Sequence, residues 1–309
     1  MKILVTGGAG FIGSHIVDAY LHLGHEVVVV DNLCTGRKSN LNPAARFVQA
    51  DICDPQLAEL FVAERFDLVN HHAAQMDVRL SVVDPIFDAQ TNIIGTLNIL
   101  QNCVRSGVKK IIFASSGGVV YGEQDYFPAD ENHPQRPYCP YGVAKLTGEK
   151  YLFFYRLTYG LQYTAFRYAN VYGPRQNPHG EAGVIAIFLE KLLKGEQPTI
   201  NGDGGQTRDF VYVEDVVAAN IAALTDADGE ILNIGTGVET SVNVLYQLLR
   251  EACGSKIEAK HGPAKPGEQR RSVLDVHRAA TVLGWRPRVT LKDGLARTIE
   301  FFRHFENRG

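Results

Sequence analysis

The segment KILVTGGAGFIG, residues 2–13, joins an apolar run to a glycine-rich turn that opens a helical pattern. Glycines at positions 7, 10 and 13 allow a tight turn, a close approach of the backbone to a phosphate, and packing of the helix on the strand. The start of the helix offers free N–H groups and the positive end of the helix dipole. A glycine turn alone is common in loops, but in this context the segment predicts a strand–turn–helix unit that binds the pyrophosphate of a dinucleotide.

The second apolar run determines which dinucleotide is expected. It ends at Asp31, 18 residues beyond Gly13, where a carboxylate can accept hydrogen bonds from the adenosine ribose. Such a carboxylate would repel a 2′-phosphate, so the sequence predicts NAD rather than NADP, although Arg37 nearby could meet a phosphate. Asp51 and Ile52 end the third run, where a side chain could reach the adenine. An acid that only ends the strand at a turn is an equally good interpretation of Asp51.

The first half of the chain alternates short apolar runs with helical patterns, which is typical of a doubly wound α/β sheet. The predicted strands are 2–6, 26–31, 46–50, 67–71, 110–115, 162–168 and 231–234. The predicted helices are 13–23, 55–64, 85–106, 141–159, 183–194, 214–224, 242–253 and 291–305. We expect an α/β fold, a Rossmann-type parallel sheet with a smaller C-terminal substrate-binding lobe. Residues 1–172 would form the NAD-binding domain and 173–309 the smaller domain, with segments around 205–237 returning to the first; the turn-rich stretch 201–209 is expected to be a loop.

Composition excludes several classes of protein. Lys and Arg total 31 against 34 Asp and Glu, so no excess of positive charge indicates a nucleic-acid partner. No apolar run approaches the roughly 20 residues that a membrane helix needs. The five cysteines are scattered and lack CxxC spacing, which argues against a disulfide framework and a zinc site and favours a reducing compartment. We therefore expect a cytoplasmic enzyme without a metal site, a membrane segment or a nucleic-acid partner.

A reactive centre is indicated by the motif YGVAK at residues 141–145, which places Tyr141 and Lys145 on one face of a helix. An unperturbed tyrosine, with a pKa of about 10, is a poor base at neutral pH, and a nearby ammonium group is expected to lower that pKa. The same spacing also occurs by chance on exposed amphipathic helices. Ser115 and Ser116 end the fifth predicted strand, where ligands meet parallel sheets, although both could simply cap the strand.

Several motifs together resemble the extended short-chain dehydrogenase/reductase family, and within it the UDP-glucose (UDP-galactose) 4-epimerases. They are TGGAGFIG at 6–13, Asp31, HHAA at 71–74, SS at 115–116 with VYG at 120–122, PYGVAK at 140–145, RYANVYGPRQ at 167–176, GDGGQTRDFVYVEDV at 202–216 and LNIGTG at 232–237. The resemblance covers essentially the whole chain. It implies an isomerase that contains NAD and interconverts UDP-galactose and UDP-glucose through a transient 4-keto sugar.

The resemblance also implies roles for single residues. Tyr141 would take the proton of the sugar 4-hydroxyl while a hydride passes from C4 to NAD, and Lys145 would tune Tyr141 and hold the nicotinamide ribose. Asn170 and Arg208 would bind the UDP diphosphate and Glu268 the uridine ribose; a salt bridge with Asp209 is the alternative for Arg208. The positions expected to contact NAD are Gly7, Gly10, Phe11, Ile12, Gly13, Asp31, Asn32, Asp51, Ile52, Ala73, Ala74, Asn92, Tyr141, Lys145 and Tyr168. A homodimer through the helices near 85–106 and 141–160 is expected as well.

One position departs from the family pattern. The family usually carries Ser or Thr four residues before the tyrosine of VYG, where this chain has Gly117. We expect Ser116 to supply the missing hydroxyl to the reacting oxygen. Residues 117–120 also lack the carboxylate of relatives that eliminate water from the sugar, which disfavours a dehydratase.

Other functions remain open at this point. The small Ser272, where many epimerases carry a larger residue, could admit UDP-sugars that are N-acetylated. A 4-keto-sugar reductase or dehydrogenase would use the same tyrosine and lysine. An inactive NAD-binding regulator is a more distant alternative.

Overall fold

The computed structural model describes residues 1–178, 183–264 and 269–306. Its strands are β1 (Lys2–Thr6), β2 (Glu26–Asp31), β3 (Arg46–Gln49), β4 (Leu68–His71), β5 (Lys110–Ser116), β6 (Gln162–Tyr168), β7 (Asn170–Tyr172), β8 (Thr199–Asn201), β9 (Thr207–Tyr212), β10 (Glu230–Ile234), β11 (Glu239–Ser241) and β12 (Lys260–Gly262). Its α-helices are α1 (Phe11–His22), α2 (Leu57–Glu64), α3 (Val78–Val83), α4 (Pro85–Ala89), α5 (Gly95–Ser106), α6 (Gly117–Val120), α7 (Pro140–Tyr159), α8 (Val184–Leu193), α9 (Val213–Ala222), α10 (Val242–Cys253), α11 (His277–Leu283) and α12 (Leu291–Glu306). A 3₁₀ turn spans Lys38–Asn40 and a π-helical turn spans Gln90–Ile94.

Seven parallel strands form the central sheet in the order β10-β6-β5-β4-β1-β2-β3. Because β1 is followed by β2 on one side and paired with β4 on the other, the strand order reverses between β1 and β4. Ligands of open α/β sheets bind outside the carboxyl ends of the strands at such a reversal. The predicted Rossmann-type α/β fold is therefore confirmed, and its ligand edge lies where the glycine turn follows β1.

Both faces of this sheet are covered, which explains why its strands are apolar throughout. Ile3 and Val5 of β1 pack in a core with α1 and α9, whereas Leu4 faces a second core built with α2, α5 and α7. This alternation follows from the two-residue period of a strand. Each inward side chain is removed from water, and each fully buried Val, Leu or Ile contributes about 1.5–3 kcal/mol before the entropy cost of ordering it.

Most of the described elements that follow β6 form a smaller unit. Strands β7, β9 and β11 make a three-stranded sheet, β8 pairs with β12, and α8, α10 and α12 enclose a third apolar core. Strand β10 belongs to the central sheet although it follows β9 in the chain. Within the described ranges, no helix is long and apolar enough to cross a membrane.

Two predictions about local structure were incomplete. The helix expected over 85–106 is present over that whole range, but a π-helical turn at Gln90–Ile94 lies between α4 and α5. The loop expected over 201–209 contains the start of β9, in which Asp209 pairs with Glu239 of β11. The local sequence does not predict this strand, because glycines and polar residues surround its start. Its pairing partners, β7 and β11, lie in other parts of the chain.

Candidate active site

The glycine turn after β1 has the geometry that a phosphate loop requires. Gly7 adopts a φ of +71°, and a Cβ there would approach the amide nitrogen of Ala73 to 2.7 Å. A Cβ at Gly13 would clash with the carbonyl oxygen of Gly7, so both positions must be glycine. Gly10 caps α1 without a side-chain hydrogen bond, which leaves the N–H groups of Phe11, Ile12 and Gly13 without acceptors within the helix. These groups form an anion site at the ligand edge.

Asp31 lies at the end of β2, beside this turn. Its Oδ2 accepts a hydrogen bond from the Ala9 N–H at 3.0 Å, and its Oδ1 accepts one from the Leu33 N–H at 2.8 Å. A Cβ at Gly36 would come within 2.7 Å of the same carboxylate, so the chain passes closely over it. Each carboxylate oxygen can accept a second bond, which is what binding a ribose diol would need.

Asp51 stabilises the turn after β3. Its Oδ1 accepts a hydrogen bond from the Cys53 N–H at 2.8 Å and its Oδ2 accepts one from Asn32 Nδ2 at 2.8 Å. Ile52 is buried, and its carbonyl accepts from Asn98 at 2.8 Å. This arrangement agrees with the interpretation of Asp51 as a turn residue, and a contact with adenine stays a prediction for Asn32, Asp51 and Ile52.

Tyr141 and Lys145 lie in the first two turns of α7, over the carboxyl end of β5. The Nζ of Lys145 donates to the Ala114 carbonyl at 2.8 Å and lies 5.6 Å from the centroid of the Tyr141 ring. Burial lowers the pKa of Lys145 to about 8, although the carboxylate of Asp88 opposes that shift. Burial raises the pKa of Tyr141, with smaller contributions in the same direction from Cys139 and Asp88.

Burial therefore opposes the phenolate form of Tyr141 in the protein alone. The expectation that Lys145 lowers the pKa of this tyrosine stays a prediction, and the two groups lie close to each other, with Lys145 Nζ 5.6 Å from the ring centroid.

The two serines at the end of β5 point in different directions, as neighbours on a strand must. Ser115 is buried and donates its hydroxyl proton to Glu149 at 2.5 Å, so it is not available to a substrate. Ser116 is half-buried and precedes α6, and none of the described residues pairs with its hydroxyl. Of the two, only Ser116 can take the role expected of it, and that role stays a prediction.

Asn92 sits in the π-helical turn and its side chain is fully used within the protein. Its Nδ2 donates to the Gln75 carbonyl at 2.8 Å and to Asp88 Oδ1 at 2.9 Å, while its Oδ1 accepts from the Gln75 N–H at 2.9 Å. Asn92 therefore fixes the loop that follows β4, which includes Ala73 and Ala74. A direct contact of Asn92 with NAD is not required for it to shape the cofactor site.

Asn170 and Arg208 come from neighbouring strands of the three-stranded sheet. Asn170 pairs with Phe210 in parallel register, and Arg208 lies two residues before Phe210 on the same strand, so both side chains project from one face. Asp209 projects from the other face, where it accepts from the N–H groups of Thr236 and Gly237 at 2.8 and 3.0 Å. The alternative of a salt bridge between Arg208 and Asp209 is therefore not supported.

Two sequence-based predictions, those for Glu268 and Ser272, are not tested by the structure. Glu268 and the segment 265–268 lie outside the described residues. Ser272 is buried, only 3% exposed, next to Val273, whose N–H donates to Gln124. The idea that its small side chain admits N-acetylated sugars stays a prediction.

Residues 3–235 match the NAD dependent epimerase/dehydratase family. The chain belongs to this family. The match extends from the phosphate loop through α7 and β9 to β10, so it includes every predicted site residue except Glu268 and Ser272.

Individual members of the family are similar over the whole length. The UDP-glucose 4-epimerase of Mycolicibacterium smegmatis is 47% identical over 310 residues, which cover 98% of this chain and 99% of that protein. The crystal structure of the Thermotoga maritima UDP-glucose 4-epimerase with UDP-glucose superposes with a TM-score of 0.98 at 50% identity, covering 99% and 100% of the two chains. The Thermus thermophilus UDP-glucose 4-epimerase in complex with NAD gives a TM-score of 0.94 at 44% identity, covering 98% and 99%.

The dinucleotide that the family name implies fits the residues present. The glycine turn provides an anion cradle that side chains would fill, and Asp31 has acceptor capacity left for a ribose. Next to the glycine turn, His72 stacks on Tyr168, and its buried Nδ1 has no hydrogen-bond partner among the described residues. The donors and acceptors of this chain are therefore placed to bind a long polar cofactor. The described residues hold no group of three or more potential metal ligands.

Sequence reasoning missed two buried residues that position the site. Glu149 accepts from Ser115 and pairs with Arg167 through two hydrogen bonds of 2.9 and 2.6 Å, and both side chains of the pair are fully buried. Glu149 lies eight residues after Tyr141 and four after Lys145, so a longer view of the helical period would have placed it on the same face. Arg167 carried no such signal, because its partners come from distant segments.

Proposed function

We propose that this chain is an NAD-containing UDP-sugar 4-epimerase that interconverts UDP-galactose and UDP-glucose. The observation that supports this most strongly is the position of the pair formed by the half-buried Tyr141 and the buried Lys145, at the same sheet edge as the phosphate loop and Asp31. The reaction requires a base at the 4-hydroxyl of the sugar and a hydride acceptor at C4, the carbon that carries this hydroxyl. The relatives of similar length that act on UDP-glucose support the same substrate class.

In this proposal, Tyr141 takes the proton of the sugar 4-hydroxyl and later returns it. Bound NAD would supply the hydride acceptor and, in its oxidised form, a positive charge. Lys145, held in place by the Ala114 carbonyl, keeps an ammonium group near the phenol and can donate to a ribose hydroxyl. Positive charge near a buried phenol favours the phenolate, so the raised pKa of Tyr141 would fall when the cofactor is in place.

Ser116 is proposed to hydrogen-bond the reacting oxygen. Its side chain is half-buried and its hydroxyl has no partner among the described residues, which leaves the hydroxyl available to a ligand. Asn170 and Arg208 are proposed to hold the diphosphate from one face of the small sheet, because an arginine fork suits phosphate oxygens. Residues 117–120 contain no carboxylate, which continues to disfavour a dehydratase.

We also propose that two copies of the chain associate through α3, α4 and α7. Several large apolar side chains of these adjoining helices are exposed: Leu80, Val82, Val83, Ile86, Phe87, Val143, Phe153, Phe154 and Leu157. A surface of this kind on neighbouring helices is typical of an interface between protomers. The two faces would be related by two-fold symmetry, so each copy covers the same patch on the other.

We also propose a cellular compartment and a division into domains for this chain. All five cysteines are free, which agrees with a reducing cytoplasm. A division into an NAD-binding domain, 1–172 with β10 added, and a smaller substrate-binding domain is proposed from the separate apolar cores of the two units. Limited proteolysis of the protein with and without UDP tests this division.

The proposed activity is tested by incubating the purified protein with UDP-galactose without added reductant. We expect UDP-glucose to form, and Tyr141→Phe to lower kcat by about 10²-fold or more because the proton acceptor is lost. Tyr159→Phe is the matched control, since Tyr159 lies on the same helix, half-exposed, at its far end. Stoichiometric accumulation of NADH would instead indicate a dehydrogenase, and no conversion at all would indicate an NAD-binding regulator.

A further inference from the structure

Asp88 is a buried carboxylate of α4, and α4 packs against α7. The residue is only 1% exposed. Together with Ala144 it lines a cavity between the two helices. Because Ala144 directly precedes Lys145 in the chain, Asp88 lies near the turn of α7 that carries the catalytic pair.

The two oxygens of this carboxylate differ in their hydrogen bonds. Oδ1 accepts from Gln75 Nε2 at 3.0 Å and from Asn92 Nδ2 at 2.9 Å. Oδ2 is buried and has no hydrogen-bond partner among the described residues. An asparagine whose amide oxygen replaced Oδ1 could accept the same two bonds. Hydrogen bonding alone therefore does not explain why the chain carries an acid at this position.

The charge of Asp88 offers an explanation. A buried carboxylate is costly unless an opposite charge lies nearby. Burial raises the pKa of Asp88, while the hydrogen bonds from Gln75 and Asn92 and the charge of Lys145 oppose that shift. A proton on Oδ2 would find no acceptor in the described part of the chain, which favours the ionised form. A negative charge is thus maintained beside α7.

Lys145 is the group that needs such a charge. Its ammonium group is buried, and among the described residues its hydrogen-bond acceptor is the neutral Ala114 carbonyl rather than a carboxylate. Burial lowers the pKa of Lys145 to about 8, and the charge that opposes this shift is that of Asp88. The two opposite charges stabilise each other across the contact between α4 and α7 without a direct hydrogen bond.

The other titratable groups around this pair contribute no competing charge at neutral pH. They lie on α7, before its first turn and at the end of β4: Tyr138, Cys139, Tyr141, His71 and His72. Burial, reinforced by the charge of Lys145, lowers the pKa of both histidines to about 3, so both are neutral. Burial raises the pKa of Tyr141, and Asp88 acts in the same direction. The charge of Asp88 therefore favours the protonated form of both members of the catalytic pair.

We propose that Asp88 is a positioning residue that provides the counter-charge of the buried Lys145 ammonium and thereby sets the pH range in which the Tyr141–Lys145 pair works. The inference rests on the proposed epimerase function. It deepens that function by assigning a role to a side chain that acts through Lys145.

Asp88→Asn tests the charge separately from the hydrogen bonds, because the amide oxygen can still accept from Gln75 and Asn92. In ¹³C-lysine-labelled, nucleotide-stripped protein, the resonance that disappears in Lys145→Met or Lys145→Arg belongs to Lys145. We expect its titration midpoint to fall by about 0.5–1 pH unit in Asp88→Asn, because the ammonium loses its counter-charge. An unchanged midpoint would overturn the proposal.

Two further variants separate this role from structural support. Asp226→Asn is the matched control, since Asp226 is exposed and follows α9, and it should leave the midpoint unchanged. Asp88→Ala removes the charge and both hydrogen bonds. If Asp88 only holds Gln75 and Asn92, Asp88→Asn will titrate like the wild type and only Asp88→Ala will be destabilised, which contradicts the proposal.

The pH dependence of kcat/KM for UDP-galactose gives a second readout. We expect both limbs of the profile to move to lower pH in Asp88→Asn, so that the activity relative to wild type falls by about 3–10-fold or more between about pH 6 and pH 9. An equal loss at every pH would indicate a structural role and overturn the proposal.

The lysine titration requires neither NAD nor activity, so the two proposals can fail separately. A wild type without epimerase activity would overturn the proposed function, and with it the catalytic part of this inference. An active wild type whose Lys145 midpoint is the same in Asp88→Asn would overturn this inference alone.

Discussion

Leu274 fills the space that a side chain on residue 117 would need. A Cβ at Gly117 would lie 2.6 Å from Leu274 Cδ1 and 3.3 Å from the Arg167 carbonyl oxygen. Leu274 is buried in a small apolar cluster with Tyr121 and Ala129. The hydroxyl that the family pattern places at this position is thus excluded by packing, and a serine cannot be restored there without moving its neighbours.

This contact predicts the effect of Gly117→Ser. We expect the substitution to lower the free energy of unfolding by about 1–3 kcal/mol through overpacking, and Leu274→Ala in the same chain to recover part of that loss. Gly118→Ser is the control, because a Cβ at Gly118 meets only Ser116 Oγ, at 3.9 Å. Urea denaturation of these three variants and of Leu274→Ala alone measures the coupling between the two positions. Additive effects would show that Leu274 is not the obstacle.

The buried ammonium of Lys145 predicts a pH dependence of stability. Its pKa is about 8 in the folded protein against 10.5 ordinarily, because burial disfavours the charge. Between these two pH values the unfolded chain binds a proton that the folded protein does not, so this group makes stability rise with pH. Relative to Lys145→Met, we expect the unfolding free energy of nucleotide-stripped wild type to increase by up to about 1.4 kcal/mol per pH unit in that window. A difference that is constant from pH 8 to 10.5 would contradict the shifted pKa.

At the scale of elements, helix α7 is joined to the central sheet at successive turns along one face. Lys145 donates to the Ala114 carbonyl of β5, and Glu149, one turn further, accepts from Ser115 of β5 and from Arg167 of β6. These bonds fix how far along the sheet edge the helix sits. Since Tyr141 lies one turn before Lys145, they also fix the position of the phenol.

The Glu149–Arg167 pair predicts a large effect for Glu149→Gln. The substitution leaves the buried guanidinium without its counter-charge, so we expect the unfolding free energy to fall by about 3–5 kcal/mol. Glu214→Gln is the control, since the Glu214–Arg297 pair is exposed and contributes less than about 1 kcal/mol. Thermal and denaturant unfolding compare the two variants; equal losses would mean that burial of the pair does not matter.

Most elements followed from the local pattern, and the exceptions have a physical cause. The apolar runs of β1, β2 and β6 and the full extent of α10 matched the sequence, because periodicity reports the faces that become buried. The π-helical turn did not, because its extra residue directs Asn92 toward Gln75, which belongs to another segment. A local pattern cannot encode a contact with a distant partner.

At the scale of the whole molecule, the exposed apolar side chains are concentrated on α3, α4 and α7, next to the active site. Val83 and Ile86 are each 81% exposed and Leu157 is 76% exposed. Because α7 also carries Tyr141 and Lys145, association through this face would restrain the helix that positions the catalytic pair.

The proposed dimer predicts the effect of a charge on this face. We expect Leu157→Glu to convert the protein from dimer to monomer, because a carboxylate buried in an apolar interface is left unpaired. Val62→Glu, on α2 and similarly exposed at 65%, should leave the assembly unchanged. Sedimentation velocity measures the mass of each; a monomeric wild type, or a Leu157→Glu variant that stays dimeric, would rule out this interface.

The sequence by itself determined the features that depend on local backbone chemistry. The glycines of the phosphate loop, the acid at the end of β2 and the spacing of Tyr141 and Lys145 are each required within a few residues, so they are visible in one dimension. Only the tertiary structure decided the rest: which serine hydroxyl has no partner among the described residues, why residue 117 lacks a side chain, and which of the two adjacent histidines has a ring nitrogen without a partner in the same part of the chain. Those outcomes depend on Glu149, Leu274 and Tyr168. Hydrogen-bond saturation and close packing are settled between segments that meet only when the chain is folded.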